Sequence, residues 1–413
     1  MTRWAVFCVL MLGQTVAAQE VLSDRVRGLR VYGSAEAGFP VTMQESRPMT
    51  IEFDVTESQP PDLYIRLIHC DKDWNVTNSY FINDEMQNRS RVPLSFDPAP
   101  AGVHSYRLHY TVRIPGIGGL ERLAYSGNHV FELVDGSTKA VLARGRFFVA
   151  EAILAPSMTI KNRSLPSEVN PYNQVNRIDV GFGLPRPESV QGEVFYPIKL
   201  KVVDIYKNRE LGNRWRIDAD NPGPNTFVDG LGTTKMRFWV DNVTPGNDYR
   251  HLDVRNVTEY PVGQELHSRL GPDVSRFQQP PRGDHNGTSA LSIGSQYADY
   301  VSYRFELASE TRQYETVYVV GDFNEWTPSA SCAMTYDEST RRYVWSALMR
   351  RGLYDYQYVV GPNDWITLEG NDWRTINVFS AFIYYHDDRL GGYDRIVASL
   401  QRLSPGGNEP TTE

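Results

Sequence analysis

Two short stretches of the 413-residue chain place side chains close enough for chemistry. HCDKDW, His69 to Trp74, sets an imidazole, a thiol and two carboxylates side by side directly after an alternating apolar run. His69, Cys70, Asp71 and Asp73 are all competent metal ligands. A metal site normally needs further ligands at motif spacing, and none of the other seven His residues forms a recognisable partner motif. The expectation is therefore a turn, in which Asp71 and Asp73 bond to nearby backbone and Trp74 covers a core edge. HDDR, His386 to Arg389, offers two adjacent carboxylates. Catalytic carboxylate pairs must face one another across a substrate at roughly 5–10 Å, whereas neighbours in sequence point apart. The chain has no GxSxG elbow, no HExxH, no phosphate-binding loop, no CxxC pair and no glycine-rich dinucleotide turn. No catalytic residue, metal or cofactor is expected, and the protein is not expected to be an enzyme.

A third stretch suggests recognition instead. GDFNEW, Gly321 to Trp326, ends in an aromatic of the kind that sugar-binding β-modules expose. Gly321, Asp322 and Asn324 suit a tight turn fixed by local hydrogen bonds. Trp326, with Trp365 further along, is the candidate platform for a glycan or a protein partner. The 24 Tyr, 17 Phe and 8 Trp could equally be core and cross-strand pairs.

The elements that must carry these residues are strands. In YRLHYTVRI, Tyr106, Leu108, Tyr110, Val112 and Ile114 alternate with Arg107, His109, Thr111 and Arg113, the pattern of a half-buried antiparallel strand. The same period recurs in LYIRLIH, RIDVGFGL and YVSYRFEL, and turn clusters such as SQPPD, DPAPAG and TPGND separate the runs. The reading is mainly β, as three consecutive immunoglobulin-like β-sandwich lobes, within the length prior of two to four domains. Boundaries are expected at residues 19–150, 151–260 and 297–399. Residues 261–296, rich in Pro, Gly and Ser, read as a linker or loop, and 400–413 as a disordered tail.

The first 18 residues, with Arg3, an apolar run from Trp4 to Leu12 and Ala17–Ala18, read as a secretory signal cut near Gln19. The apolar run is too short for a bilayer span, and no small-residue lipobox precedes Cys8. Cys70 and Cys332 then remain, read as two independent thiols rather than a bridge. A net charge of −8 with scattered Lys and Arg leaves no footprint for nucleic acid. Six Asn-x-Ser/Thr triplets, at Asn75, Asn88, Asn162, Asn242, Asn256 and Asn286, carry little weight, because such triplets arise by chance.

LYIRLIHCDKDW, YRLHYTVRIPG, SGNHVFEL, VFYPIKLKVVDIYKNRELGNRW, PGNDYRHLDVRN, GDFNEW and FIYYHDDRLGGYDRIV occur in that order. Together they resemble the plug protein of the Bacteroidota type IX secretion system, from about Val21 to Ser399. The resemblance implies a non-enzymatic periplasmic protein that binds the periplasmic face of the outer-membrane translocon barrel and closes it when export is idle. Its partner would be that barrel, touched by Pro261–Gln296 and by loop tips of the first two lobes. The hairpin at Asn208 to Trp215 departs from the family pattern by an apparent insertion.

The third block alone resembles early-set immunoglobulin-like modules that bind glycogen and starch, through VYVVGDFNEWTP, RGLYDYQYVV and NDWITLE. It implies Trp326 and Trp365 as a stacking pair, and the alternative function of a periplasmic carbohydrate-binding protein. Gln357 stands where those relatives carry a Lys.

Overall fold

The computed structural model describes residues 19–33, 38–44, 46–164, 174–184, 194–277, 279 and 282–406. The expected signal segment, residues 1–18, lies outside them, as do residues 407–413 of the expected tail. The regular structure of the described residues is almost all strand, with a few short 3-10 turns, so the mainly β, sandwich-type expectation holds.

Its framework is one nine-stranded sheet. In order it runs Arg214–Asp218, Val202–Lys207, Val378–Asp387, Tyr393–Leu403, Val141–Ala150, Gly127–Asp135 and Leu63–Cys70, with Glu20–Val21 and Val41–Met43 also pairing with Val141–Ala150. Two four-stranded sheets lie against the two ends of this framework. One joins Val26–Tyr32, Met49–Val55, Leu108–Ile114 and Phe96–Pro98. It encloses the first core with Phe53, Tyr110, Phe131, Leu133 and Phe147. The other joins Ser157–Ser164, Gln174–Gly183, Lys235–Val243 and Thr226–Asp229, and its core sets Ile178 and Phe238 with Val203, Ile205, Phe379, Ile383 and Val397. A third lobe packs Arg250–Asp253, Gly352–Val360, Ser289–Leu291 and Val317–Gly321 over Tyr300–Ala308, Arg342–Arg350, Thr335–Asp337 and Glu265–Leu266.

The three lobes are therefore not consecutive. Val378–Asp387 and Tyr393–Leu403, expected to close the third unit, complete the second: Val202 faces Tyr384 and Lys207 faces Phe379 across an antiparallel ladder. Arg250–Asp253, expected in the second unit, pairs with Gly352–Val360 of the third. Of residues 261–296, expected as a linker or loop, the described ones belong to the third lobe as loops that contribute Glu265–Leu266 and Ser289–Leu291 to its sheets. Residues 400–403, expected as tail, are strand. Alternation reports burial on one face but carries no information about which sheet a strand joins.

Candidate functional site

The GDFNEW turn is built as its sequence suggests and used differently. Val317–Gly321 leads into a 3-10 turn at Asp322–Asn324. Asn324 closes it, its Oδ1 accepting from the Gly321 amide at 3.0 Å while its Nδ2 donates to the Val319 carbonyl at 2.9 Å. Asp322 does not serve the turn. Its Oδ1 lies 2.7 Å from Nε of Arg209, in the second lobe, and its Oδ2 accepts from the Ser289 hydroxyl and lies 4.0 Å from Nε of Arg30, in the first. Glu325, the next acid along, accepts from the backbone amides of Gln19 at 2.8 Å and Arg146 at 3.2 Å. Burial pushes its carboxyl upward. One short turn thus receives groups from all three lobes.

Trp326 is the largest fully buried side chain, at 0% exposure, and Trp365 is 7% exposed. Trp326 packs against Tyr249 with ring centroids 4.2 Å apart and planes tilted by 45°, donates from Nε1 to the Gly287 carbonyl at 2.9 Å, and shares a small core with Val320, Val359 and Trp365. The expected platform is therefore corrected: neither ring presents a face to a glycan or a partner. Gln357 is buried as well.

The hairpin around Asn208 explains this burial. It joins Val202–Lys207 to Arg214–Asp218, with Tyr206 opposite Arg214, and its tip points into the junction. Asn208 donates to the Tyr249 hydroxyl at 2.9 Å, that hydroxyl donates to Glu210 at 2.7 Å, and Lys207 pairs with Glu210 at 3.0 Å. Gly212 passes so close to the turn that a Cβ there would meet the Trp326 carbonyl oxygen at 2.6 Å. The hairpin tip is a wedge between lobes.

A second buried contact lies between the first and third lobes. Asp54 accepts from Arg350 and from the Tyr300 hydroxyl, each at 2.7 Å, while its other oxygen meets His109 Nδ1 at 2.7 Å. Arg350 also donates to the Tyr106 hydroxyl at 3.0 Å. Alternation sets His109 away from the first core, yet it is buried because the third lobe covers that face. Gly28, at φ +58°, leaves the room: a Cβ there would sit 2.0 Å from the Tyr300 hydroxyl oxygen.

In HCDKDW, His69 and Cys70 end the strand Leu63–Cys70 rather than joining a turn, and the turn is Asp71–Trp74, with one change of role. Asp71 Oδ1 accepts from the amides of Asp73 at 2.8 Å and Asn75 at 2.9 Å. Asp73 instead turns to the second lobe, contacting Arg216 and, at 3.3 Å, Arg214. Trp74 packs edge-on against Phe148 at 5.3 Å, with Arg146 over its ring. The His69 ring lies between Thr77 Oγ1 at 2.8 Å and the Ser126 carbonyl at 2.9 Å, and burial pushes it down to about 4. Cys70 and Cys332 are free and buried. In HDDR, Asp387 pairs with Arg395 and Arg389, Asp388 with Lys199, and His386 with Asp394. These two acids face different partners. Asp388, with His386, borders a cleft of about 340 Å³ between lobes, lined also by Lys72, Lys201 and Asp218, whereas Asp387 is buried.

The exposed candidate was missed from sequence. The loop after HCDKDW shows Tyr80 at 80%, Phe81 at 69% and Met86 at 59% exposure. The two rings are in edge contact, 6.4 Å apart, and Ser79 anchors the loop by donating to the Leu390 carbonyl at 2.6 Å. Adjacent aromatics inside the polar run NSYFINDEMQN were the available signal, since large apolar side chains exposed together mark a contact site.

Comparison with known proteins bears on the lobe that carries this loop. Residues 26–151 match the family model of the type 9 secretion system plug protein 1st domain. That match supports the plug family. The plug-type segment ends where Val141–Ala150 leaves the first core, so it coincides with the first lobe. No curated protein matches the chain in sequence. Among solved structures, a hypothetical protein from Parabacteroides merdae superimposes with a TM-score of 0.76 at 18% identity, over 95% of this chain and 100% of that one. This likeness extends the shared fold beyond the plug-type lobe. A marsupial T cell receptor aligns over 91% of this chain and 99% of that one, at 7% identity and a TM-score of 0.15, which carries no weight. Among the described residues, no helix is long and apolar enough to cross a membrane.

Proposed function

We propose that this protein is a non-enzymatic plug of the type IX secretion system, which docks on the periplasmic side of the outer-membrane translocon barrel and closes it when no substrate is passing. The observation that carries the reading is the match of residues 26–151 to the plug first domain. The architecture supports it physically. A wide barrel encloses an aqueous lumen, and a stopper must keep its shape under load. Buried ion pairs and a shared sheet tie the three lobes of this chain together. The exposed Tyr80–Phe81 loop, a loop tip of the first lobe, offers apolar area to a partner, and exposed Leu270 and Val274 keep residues 261–296 as a second candidate contact.

The test is recovery of the barrel protein with this chain from solubilised outer membranes, together with envelope permeability after deletion of the gene. The reading expects co-purification and a leakier envelope. Absence of translocon components from the eluate with unchanged permeability overturns it.

A further inference from the structure

Beside the lobe junction, two imidazoles converge on one buried carboxylate. His251 lies on Arg250–Asp253, directly opposite Asp355 on the paired strand Gly352–Val360. His285 arrives from the loop that precedes Ser289–Leu291. Asp355 is fully buried, whereas the His251 and His285 side chains are 38% and 50% exposed. The donor atoms of the three residues lie within 4.8 Å of one another.

The hydrogen bonds decide what this arrangement needs. Asp355 Oδ2 is fixed by the backbone amides of His285 at 2.9 Å and Gly287 at 3.0 Å. Its Oδ1 faces His251 Nδ1 at 2.7 Å and His285 Nδ1 at 3.2 Å. His251 Nε2 lies 3.0 Å from the Gly283 carbonyl oxygen, which can only accept, so Nε2 carries a hydrogen. In a neutral ring the Nδ1 lone pair then points straight at a carboxylate oxygen. That contact is repulsive unless Nδ1 carries a proton or a metal ion takes the proton's place. A backbone carbonyl holding the far nitrogen of a histidine is also the usual support of a metal-ligating ring.

The structure assigns His251, His285 and Asp355 as a surface site for a divalent transition metal of the zinc, cobalt or nickel type, with the remaining position open to water. Two imidazole nitrogens and one carboxylate oxygen suit such ions, with metal–ligand distances of about 2.0–2.2 Å. Tetrahedral ligands at that range stand about 3.3 Å apart. His285 is already near that separation, and His251 has to swing back by roughly half an ångström, which its exposed edge allows. Metal binding would staple the turn around Gly287, whose carbonyl holds Trp326, to the strand pair beneath it.

The test is titration of the chelator-treated full chain with Zn²⁺ by calorimetry and with Co²⁺ by visible absorption, followed by proteolysis of the loaded protein. The expected result is one ion per chain, d–d bands of a low-coordinate Co²⁺ centre, and slower cleavage between residues 262 and 282. His251→Ala and His285→Ala should each weaken binding by about tenfold or more, whereas His267→Ala, at an exposed position of the same segment, should leave it unchanged. No saturable binding to the folded wild-type chain overturns the assignment and leaves a proton as the bridging cation. Equal binding by a folded His251→Ala/His285→Ala double variant overturns it as well.

Discussion

Arg350 of the third lobe donates to Asp54 of the first across 2.7 Å, with both side chains withdrawn from water. Each charge is tolerable there only because the other is present, so the pair registers one lobe against the other rather than adding much net stability.

Removing one partner should therefore cost far more than removing both. Arg350→Met leaves Asp54 buried with the Tyr300 hydroxyl and His109, and should destabilise the protein by roughly 3–5 kcal/mol. Adding Asp54→Asn to it should recover part of that loss. Urea denaturation of the two single variants and the double variant measures the coupling. Additive losses would mean that the two residues do not act as a pair.

Trp326→Ala should behave as a core deletion, destabilising by about 3–5 kcal/mol, because its ring fills the space between Tyr249, Val359 and Trp365. Migration through polysaccharide-containing gels should be the same for wild type and variant. Retardation that depends on Trp326 would restore the carbohydrate reading.

Stability should fall on mild acidification. Burial holds His69 down at about 4 and His129, its cross-strand neighbour, well below its usual value. Both rings are neutral when folded, so the unfolded chain takes up protons first as the pH drops. Their contribution is complete above about 6.5, the unfolded value, and is lost progressively toward 4. For His69 alone the loss is roughly 3 kcal/mol by pH 4. Denaturation curves from pH 7 to 4 check this, and His69→Gln should flatten the slope.

The two thiols should be silent in the native protein. Both are buried, and burial pushes the Cys70 thiol up to about 12, leaving almost no thiolate at neutral pH. Ellman's reagent should titrate neither Cys70 nor Cys332 until denaturant is added, with no change in mobility on omitting reductant.

Tyr80→Ser with Phe81→Ser should leave thermal stability nearly unchanged, since both rings stand in solvent, and should lower recovery of the translocon barrel. Undiminished recovery would move the docking surface elsewhere.

Much of the fold was legible as strands, because alternation in runs such as LYIRLIH and YVSYRFEL reports a buried face directly. The partner of each strand was not legible. Nothing local in FIYYHDD shows that it pairs with VVDIYK, some 180 residues earlier, because that contact is decided by the closing of a core. The same limit hid the junction. Asp322 looks like a turn residue beside Asn324, and only folding brings Arg209 and Arg30 to its carboxylate. Trp326 was legible as an aromatic at a turn, whereas its burial depends on Tyr249 and on the loop at Gly287. His251 and His285 share no motif, because the sheet register unites His251 with Asp355 and a long loop delivers His285.

The framework sheet has a consequence for how the molecule comes into being. Its strands are drawn from Glu20 at one end of the described chain to Leu403 at the other, and the second core closes on strands from both halves. Synthesis delivers the chain from its N-terminus, so the strands Gln174–Gly183, Val202–Lys207 and Lys235–Val243 lack part of their core until the last two strands arrive. Contacts so distant in sequence fold slowly. A gene truncated before Val378 would therefore yield an aggregating fragment rather than a shorter protein with two working lobes.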